Sequence, residues 1–228
     1  MTSCLAATAI IDSDHPSIRA HAREVTGGST DPIDSAVRLF LAVRDGIRYD
    51  PYTPFYLPDH YRASYVLEQG RGFCVPKASL LCALGRASGI PSRMGFATVR
   101  NHLVTKQLAD FLGSDLFPYH GYVEFLLEEK WVKATPAFNA ELCNRHRVPP
   151  LEFNGRDDAL FQAYNLDNQQ FMEYVEDLGR YDDVPVDKIV AGLERVYGQD
   201  RVRGWIRIFE EHGVRSLRDF WKEDVVKD

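Results

Sequence analysis

The stretch GRGFCVPKASLLCALGRASGIPSR, Gly70 to Arg93, decides how the rest of the chain is read. Cys74 follows Gly-Arg-Gly-Phe. From there Cys74, Val75, Ala78, Leu81, Cys82 and Gly85 recur at spacings of three and four, the period of one helix face. The run stops at Gly89, Ile90 and Pro91, a turn. A thiol on the first residue of a helix lies where unpaired N–H groups and the macrodipole stabilise an anion, and the thiolate is the nucleophilic form of cysteine. Gly70 and Gly72 let backbone approach a substrate closely. The Cys74 N–H is also placed to serve an oxyanion. Position alone leaves a second reading open, because free cysteine is among the most buried residue types. Cys82, on the same face, reads as core, and Cys4 and Cys143 carry no partner signal.

A nucleophilic cysteine needs a base. The clearest hairpin runs from Tyr119 to Thr135, YHGYVEFLLEEKWVKAT. Side chains alternate from His120 to Leu127, a turn falls at Glu128-Glu129-Lys130, and a second strand runs from Trp131 until Pro136 stops it. His120, Tyr122 and Glu124 share one phase, and Trp131, Lys133 and Thr135 share the other strand's phase. Thr135 is then expected opposite His120 or one step off it, where a side chain would orient the imidazole.

Around this pair the chain alternates helix and strand. His15–Val25 reads as a short helix with Pro16 in its first turn. Asp31 caps a second helix, with Pro32 at N1 and Ile33, Val37, Phe40, Leu41 and Arg44 at helical spacing up to Gly46. Pro51–Arg62 is too rich in proline and aromatics for regular structure, and reads as an ordered loop. Ala63–Gly70 is a helical turn, Ser92–Leu103 a strand, and Val104–Leu116 an insertion with a short helix. The apolar run Cys4–Ile11 lacks a basic lead and is ended by Asp12 and Asp14, so it is expected to be a first strand and not a signal peptide. After Pro149-Pro150 the composition turns acidic and aromatic and mostly helical, as in Val186–Gly198 and Val202–Gly213. The expected organisation is a core over residues 1–150 and a mainly helical extension over 151–228, packed on the core.

The bulk numbers exclude several function classes. A chain of 228 residues with 45% hydrophobic content buries a core without staples. At a net charge of -6, with both signs mixed along the chain, nothing suggests nucleic acid or an anionic membrane as a partner. No run approaches the ~18 apolar residues of a membrane span. There is no C-x-x-C pair, no H-x-x-x-H and no D-x-D-x-D-G loop, so neither a metal nor another cofactor is expected. Four cysteines in a chain of this size do not form a disulfide framework, which fits reduced thiols in the cytoplasm. The sequence does not fix an oligomeric state.

Three motifs in this order, G-x-G-F-C-x-x-x-A-x-L-L-x-A-L-x-R-A-x-G-I-P-x-R, H-G-Y-V-E-F and K-W-V-K-A-T-P, resemble the transglutaminase-like superfamily. The resemblance spans roughly Ala36 to Phe138 and suggests a stand-alone domain of bacterial type. It implies a papain-like α+β fold, with a central nucleophile helix packed on an antiparallel sheet. It implies Cys74 as nucleophile and His120 as base. The expected activity is cysteine-dependent acyl transfer, as a protease or amidase hydrolysing a peptide or other amide through a thioester. One position departs from the family. Where its members carry an aspartate, this chain has Thr135, whose hydroxyl accepts a hydrogen bond from the ring but supplies no charge. That departure motivates a second reading, a catalytically inactive binding module.

Other residues have weaker claims. Asn139 is a second candidate to orient His120, and Glu124 could bring charge nearby, though a salt bridge suits it better. Gln69 could donate to an oxyanion. Lys77, one helical turn from Cys74, could favour a thiolate, but reads as a solvated lysine. His102 reads as a surface histidine, Arg93 as an ion-pair member and Trp131 as packing over the sheet. Tyr52, Phe55, Tyr56 and Tyr61 could line a groove or cover the core.

Overall fold

Prolines open the first two helices. In a computed structural model, which describes residues 3–212 and 219–223, helix α1 (Pro16–Thr26) starts after His15 and ends at Gly27 in the left-handed conformation. Helix α2 (Pro32–Gly46) is capped by Asp31, whose Oδ1 accepts from the Ile33 N–H at 2.9 Å. Strand β1 (Arg48–Tyr49) follows at once. After the Pro-rich loop, helix α3 (Ala63–Gln69) ends at Gly70, with φ 64°. The chain then forms strand β2 (Arg71–Gly72), which pairs in parallel with β1, Tyr49 opposite Gly72. This short ladder delivers the chain to helix α4 (Cys74–Ala87).

Helix α4 is buried from Val75 through Arg86. Such a helix, enclosed on all sides, belongs at the centre of a core. Helices α1, α2 and α3 pack on it from one side and the sheet from the other. Arg86 is held without a carboxylate: its guanidinium donates to the carbonyls of Ser92, Ala6 and Asp182 at 2.7–3.0 Å. These bonds tie the N-terminal segment and the chain near Asp182 to the central helix.

The sheet contains strands β3 (Ser92–Asn101), β4 (Leu116–Leu127) and β5 (Lys130–Ala134), with helix α5 (Lys106–Leu112) inserted between the first two. Helix α6 (Ala140–Arg145) follows the hairpin. Strand β6 (Met172–Tyr181) completes an antiparallel sheet of order β5-β4-β3-β6 among the described residues. Helices α7 (Val186–Tyr197) and α8 (Gln199–His212) follow, and the described residues 219–223 hold a 3-10 turn, Phe220–Lys222. The expected helix end at Gly213 lies outside the described residues.

Three local expectations need correction. Cys4–Ile11 is not a strand: a 3-10 turn at Ser3–Leu5 leads into irregular chain. There the Ile11 N–H bonds to Thr8 Oγ1 at 3.0 Å and Asp183 Oδ1 at 3.3 Å, so side chains take the donor that a ladder would use. The hairpin turn is shorter than expected. Glu128 and Glu129, with φ 46° and 64°, make a two-residue turn and Lys130 already belongs to β5. Finally, the region beyond Pro150 supplies β6, so the sheet crosses the expected boundary at residue 150. The acidic MEYVEDLGRY pattern hid it, as edge strands carry charge where central strands carry apolar runs.

Candidate active site

Phe73 precedes α4 in an extended conformation and offers no capping side chain. The first N–H groups of the helix are therefore left to other acceptors. Cys74 Sγ takes that role. Burial pushes its thiol up to about 11, while the N–H groups of Gly121, Val75 and Cys74 itself pull in the opposite direction. The residue is half-buried and lines clefts walled by protein, so desolvation outweighs the three N–H groups.

Gly121 comes from β4, and its contact sets the distance between sheet and helix. A Cβ at Gly121 would stand 3.1 Å from both Val75 Cα and Val75 Cγ2. A larger residue would press on Val75, which would have to give by a few tenths of an ångström for the N–H to keep its reach to the sulfur. The motif H-G-Y contained this residue, but its glycine has a steric meaning that only the helix–sheet packing reveals.

His120 lies next to it, opposite Ala97 of β3. The preceding Tyr119 has φ 56°, and the β3–β4 register shifts between Ala97 and Val99. Such irregularities re-aim side chains near functional sites. The imidazole is buried, with ring centroids 4.9 Å from Phe161 and 6.2 Å from Tyr174. Burial alone lowers its pKa to about 3. Cys74 and His120 line the same two clefts, so the fold brings the expected nucleophile and base together. Both are neutral at rest, because no charge offsets their desolvation.

Thr135 is buried, but it does not lie where expected. Val123 stands opposite Ala134, and continuing that register carries Thr135 to the level of Tyr122, two residues from His120. Neither a two- nor a three-residue turn at Glu128 brings Thr135 level with His120; the shorter turn places it one step nearer than the longer would. Neither His120 Nε2 nor Thr135 Oγ1 has a hydrogen-bond partner among the described residues. The Tyr174 hydroxyl accepts from the Phe161 N–H at 3.3 Å and lies close enough to Thr135 for the two hydroxyls to influence each other, without the geometry of a hydrogen bond.

Asn139 is fully committed elsewhere. Its Oδ1 accepts from the Tyr49 N–H at 2.9 Å, and Nδ2 donates to the carbonyls of Arg44, Asp45 and Ile47 at 2.7–3.2 Å. It staples the end of α2 to the start of α6 and leaves nothing for His120. Glu124 is buried between Arg93 at 2.7 Å and Arg180 at 2.9 Å, a structural ion-pair cluster, and Arg93 also stacks over Trp131 at 3.9 Å.

The expectation of a solvated Lys77 is overturned. Lys77 is fully buried, and its Nζ donates to the carbonyls of Arg44 at 2.9 Å and Ile47 at 2.6 Å, at the negative end of α2. Burial lowers its pKa to about 7. Gln69 is exposed at the end of α3 and lines neither cleft, so it is not placed to serve an oxyanion. His102 sits at the surface, 3.4 Å from Glu173. The aromatic loop divides: Tyr61 is core, Tyr52 is buried with its hydroxyl on Glu223 at 2.5 Å, and Phe55 lines a cleft beside Cys74. Sequence reasoning did not identify Tyr49, Phe161 and Tyr174 as site residues. Their positions depend on long-range pairing that spacing does not encode.

The profile of the transglutaminase-like superfamily matches residues 19–136, just over half of the chain and inclusive of Cys74, His120 and Thr135. No curated protein gives a match. Among solved structures, the chain is similar to a proposed cysteine protease from Cytophaga hutchinsonii, at 15% identity and a TM-score of 0.46, covering 78% of this chain and 53% of that one. It is also similar to the periplasmic domain of TgpA from Pseudomonas aeruginosa, at 21% identity and a TM-score of 0.41, covering 58% and 45%. A third similarity is to red sea bream transglutaminase, at 14% identity and a TM-score of 0.36, covering 96% and 42%. The chain spans about half the length of these structures. No helix among the described residues is long and apolar enough to cross a membrane. On the matched segment, the chain belongs to the transglutaminase-like superfamily.

Proposed function

We propose that this protein is a cysteine-dependent acyl-transfer enzyme that hydrolyses an amide or peptide bond, with Cys74 as nucleophile and His120 as proton carrier. One observation carries the reading: the Cys74 sulfur sits at the start of a buried helix with three backbone N–H groups around it, and His120 opens into the same clefts. The N–H groups stabilise negative charge that develops on sulfur as the thiol loses its proton. Because thiol and imidazole are both neutral at rest, the proton moves to His120 as sulfur attacks, as general-base catalysis requires. The S–C bond forms, the C–N bond breaks, and the imidazolium returns its proton to the leaving amine. Water then cleaves the thioester, releasing a carboxylic acid and the free thiol.

Thr135 is proposed as the residue that orients His120 in the working state. Two buried, unpaired polar atoms flank the same tyrosine, and pairing them would recover the cost of leaving each unsatisfied. The segment that carries Phe161 and Tyr174 then forms part of the catalytic unit, since both rings flank the imidazole. The test is release of amine from a panel of fluorogenic peptide amides by the parent, Cys74→Ala and His120→Ala. Turnover by the parent and none by Cys74→Ala is the expected result; equal turnover by the parent and Cys74→Ala would overturn the assignment.

The reading as an inactive binding module draws on a different observation. His120 has no charged partner to stabilise an imidazolium, and its lowered pKa has burial as its sole cause. The same panel decides between the two.

A further inference from the structure

Two clefts meet at the sulfur. They share Tyr49, Cys74, Leu108, Phe117 and His120, and then diverge. The first, a narrow cleft with a cavity volume of about 60 Å³, adds Phe138, Phe161, Phe171 and Phe220. The second, about 100 Å³, adds Phe55, Phe111, Trp205 and Phe209. Both open to solvent, so an apolar group can enter from outside and lie against these walls.

Their chemistry is uniform. No Asp, Glu, Lys or Arg lines either cleft among the described residues. The polar side chains of the first cleft are largely engaged. Asn101 accepts from the Leu103 N–H at 3.0 Å, and Thr105 accepts from the Leu108 N–H and donates to Glu223 at 2.6 Å. His146 lies flat against Phe220, with ring planes 9° apart, and burial keeps it neutral. A charged group entering either cleft would lose its water and gain no counter-ion, a large penalty. A large apolar group would exchange water for ring faces and edges.

We propose that the substrate is an amide bearing a large apolar group, aromatic in the first place, on each side of the bond that Cys74 attacks, one group seated in each cleft. The proposal rests on the reading of Cys74 as nucleophile. It assigns a further role to the C-terminal region: Phe161, Phe171, Phe220, Trp205 and Phe209 make it the part of the chain that selects the substrate. Helix α5 contributes Leu108 to both clefts and Phe111 to one, with Phe111 stacked on Trp205 at 4.8 Å, so the inserted helix and the extension close on each other.

The experiment uses three quenched-fluorescence peptides, identical except for the two central residues: Phe-Phe, Gln-Lys or Glu-Arg. Their kcat/KM is measured with the parent protein. Binding of the unlabelled peptides is measured with Cys74→Ala through tryptophan fluorescence, and Cys74→Ala/Trp205→Phe assigns the signal to the second cleft. The expected result is at least a tenfold preference for Phe-Phe in both readouts, the scale on which apolar pockets discriminate. If the parent cleaves Gln-Lys as well as Phe-Phe, the apolar assignment falls and the nucleophile stands. If the parent cleaves none while Cys74→Ala binds Phe-Phe at least tenfold tighter, the apolar selectivity stands and the nucleophile reading falls. Equal or absent binding of all three overturns the apolar assignment outright.

Discussion

Cys74 and His120 meet as a neutral thiol and a neutral imidazole, and burial is the cause in both. The thiol is pushed up to about 11 and the imidazole down to about 3, so the proton belongs on sulfur at neutral pH. Alkylation of Cys74 by iodoacetamide should therefore be slow at pH 6 and climb through pH 9 to 11, which peptide-resolved mass spectrometry measures directly. Thr135→Asp places an anion beside the imidazole. It should raise the His120 pKa and shift Cys74 reactivity toward neutral pH, at a cost in stability from the buried charge. Thr135→Val should lower kcat by roughly tenfold through loss of orientation, with Thr135→Ser close to the parent. Cys74 and His120 were legible from the sequence because helix start and strand phase are local properties. The placement of Thr135 was not, because it lies past the end of β5, where the chain leaves the hairpin and its N–H bonds to the Ala159 carbonyl.

At the scale of elements, the junction of α4 with β4 positions the sulfur, and Gly121 is its spacer. Gly121→Ala should force the strand away from Val75, cutting kcat/KM by roughly 10- to 100-fold while costing about 1–2 kcal/mol in urea unfolding. Asn139 is the comparable staple between α2 and α6. Three of its four bonds are buried, and Asn139→Ala should cost roughly 3 kcal/mol by the same measurement, since the Tyr49 N–H and the α2 carbonyls lose a common partner. Strong periodicity made α1, α2, α4 and the hairpin readable from the chain alone. Strand β6 was not, because most of its side chains are half-exposed, three of the ten are acidic, and its register along β3 shifts twice. An edge strand of this kind is specified by its partner more than by its own pattern.

For the whole molecule, the buried neutral histidines set the acid limit. His120 and His146 have folded pKa values lowered to about 3 and about 4, against an unfolded value near 6.5. Between those limits the unfolded chain binds protons that the folded chain does not, so stability falls as pH drops from about 6.5 toward 3. The urea midpoint should decline over that window, and the decline should flatten in a His120→Asn variant. Lys77 acts in another window. Its folded pKa of about 7 lies below the unfolded 10.5, so its destabilisation grows as pH falls from about 10.5 to 7 and is constant below that. The overall architecture was legible through the family resemblance that the three motifs carry. The aromatic walls of the clefts did not, because they are assembled from segments as far apart as Tyr49 and Phe220.

The most direct test of the central claim is acid-quenched mass spectrometry of the protein after brief exposure to an activated aromatic ester, comparing the parent with His120→Ala. The account expects one acyl group, located on Cys74 and not on Cys4, Cys82 or Cys143, formed at least 100-fold more slowly in the variant. Acylation spread over several cysteines, or acylation of Cys74 that is indifferent to His120, would contradict it.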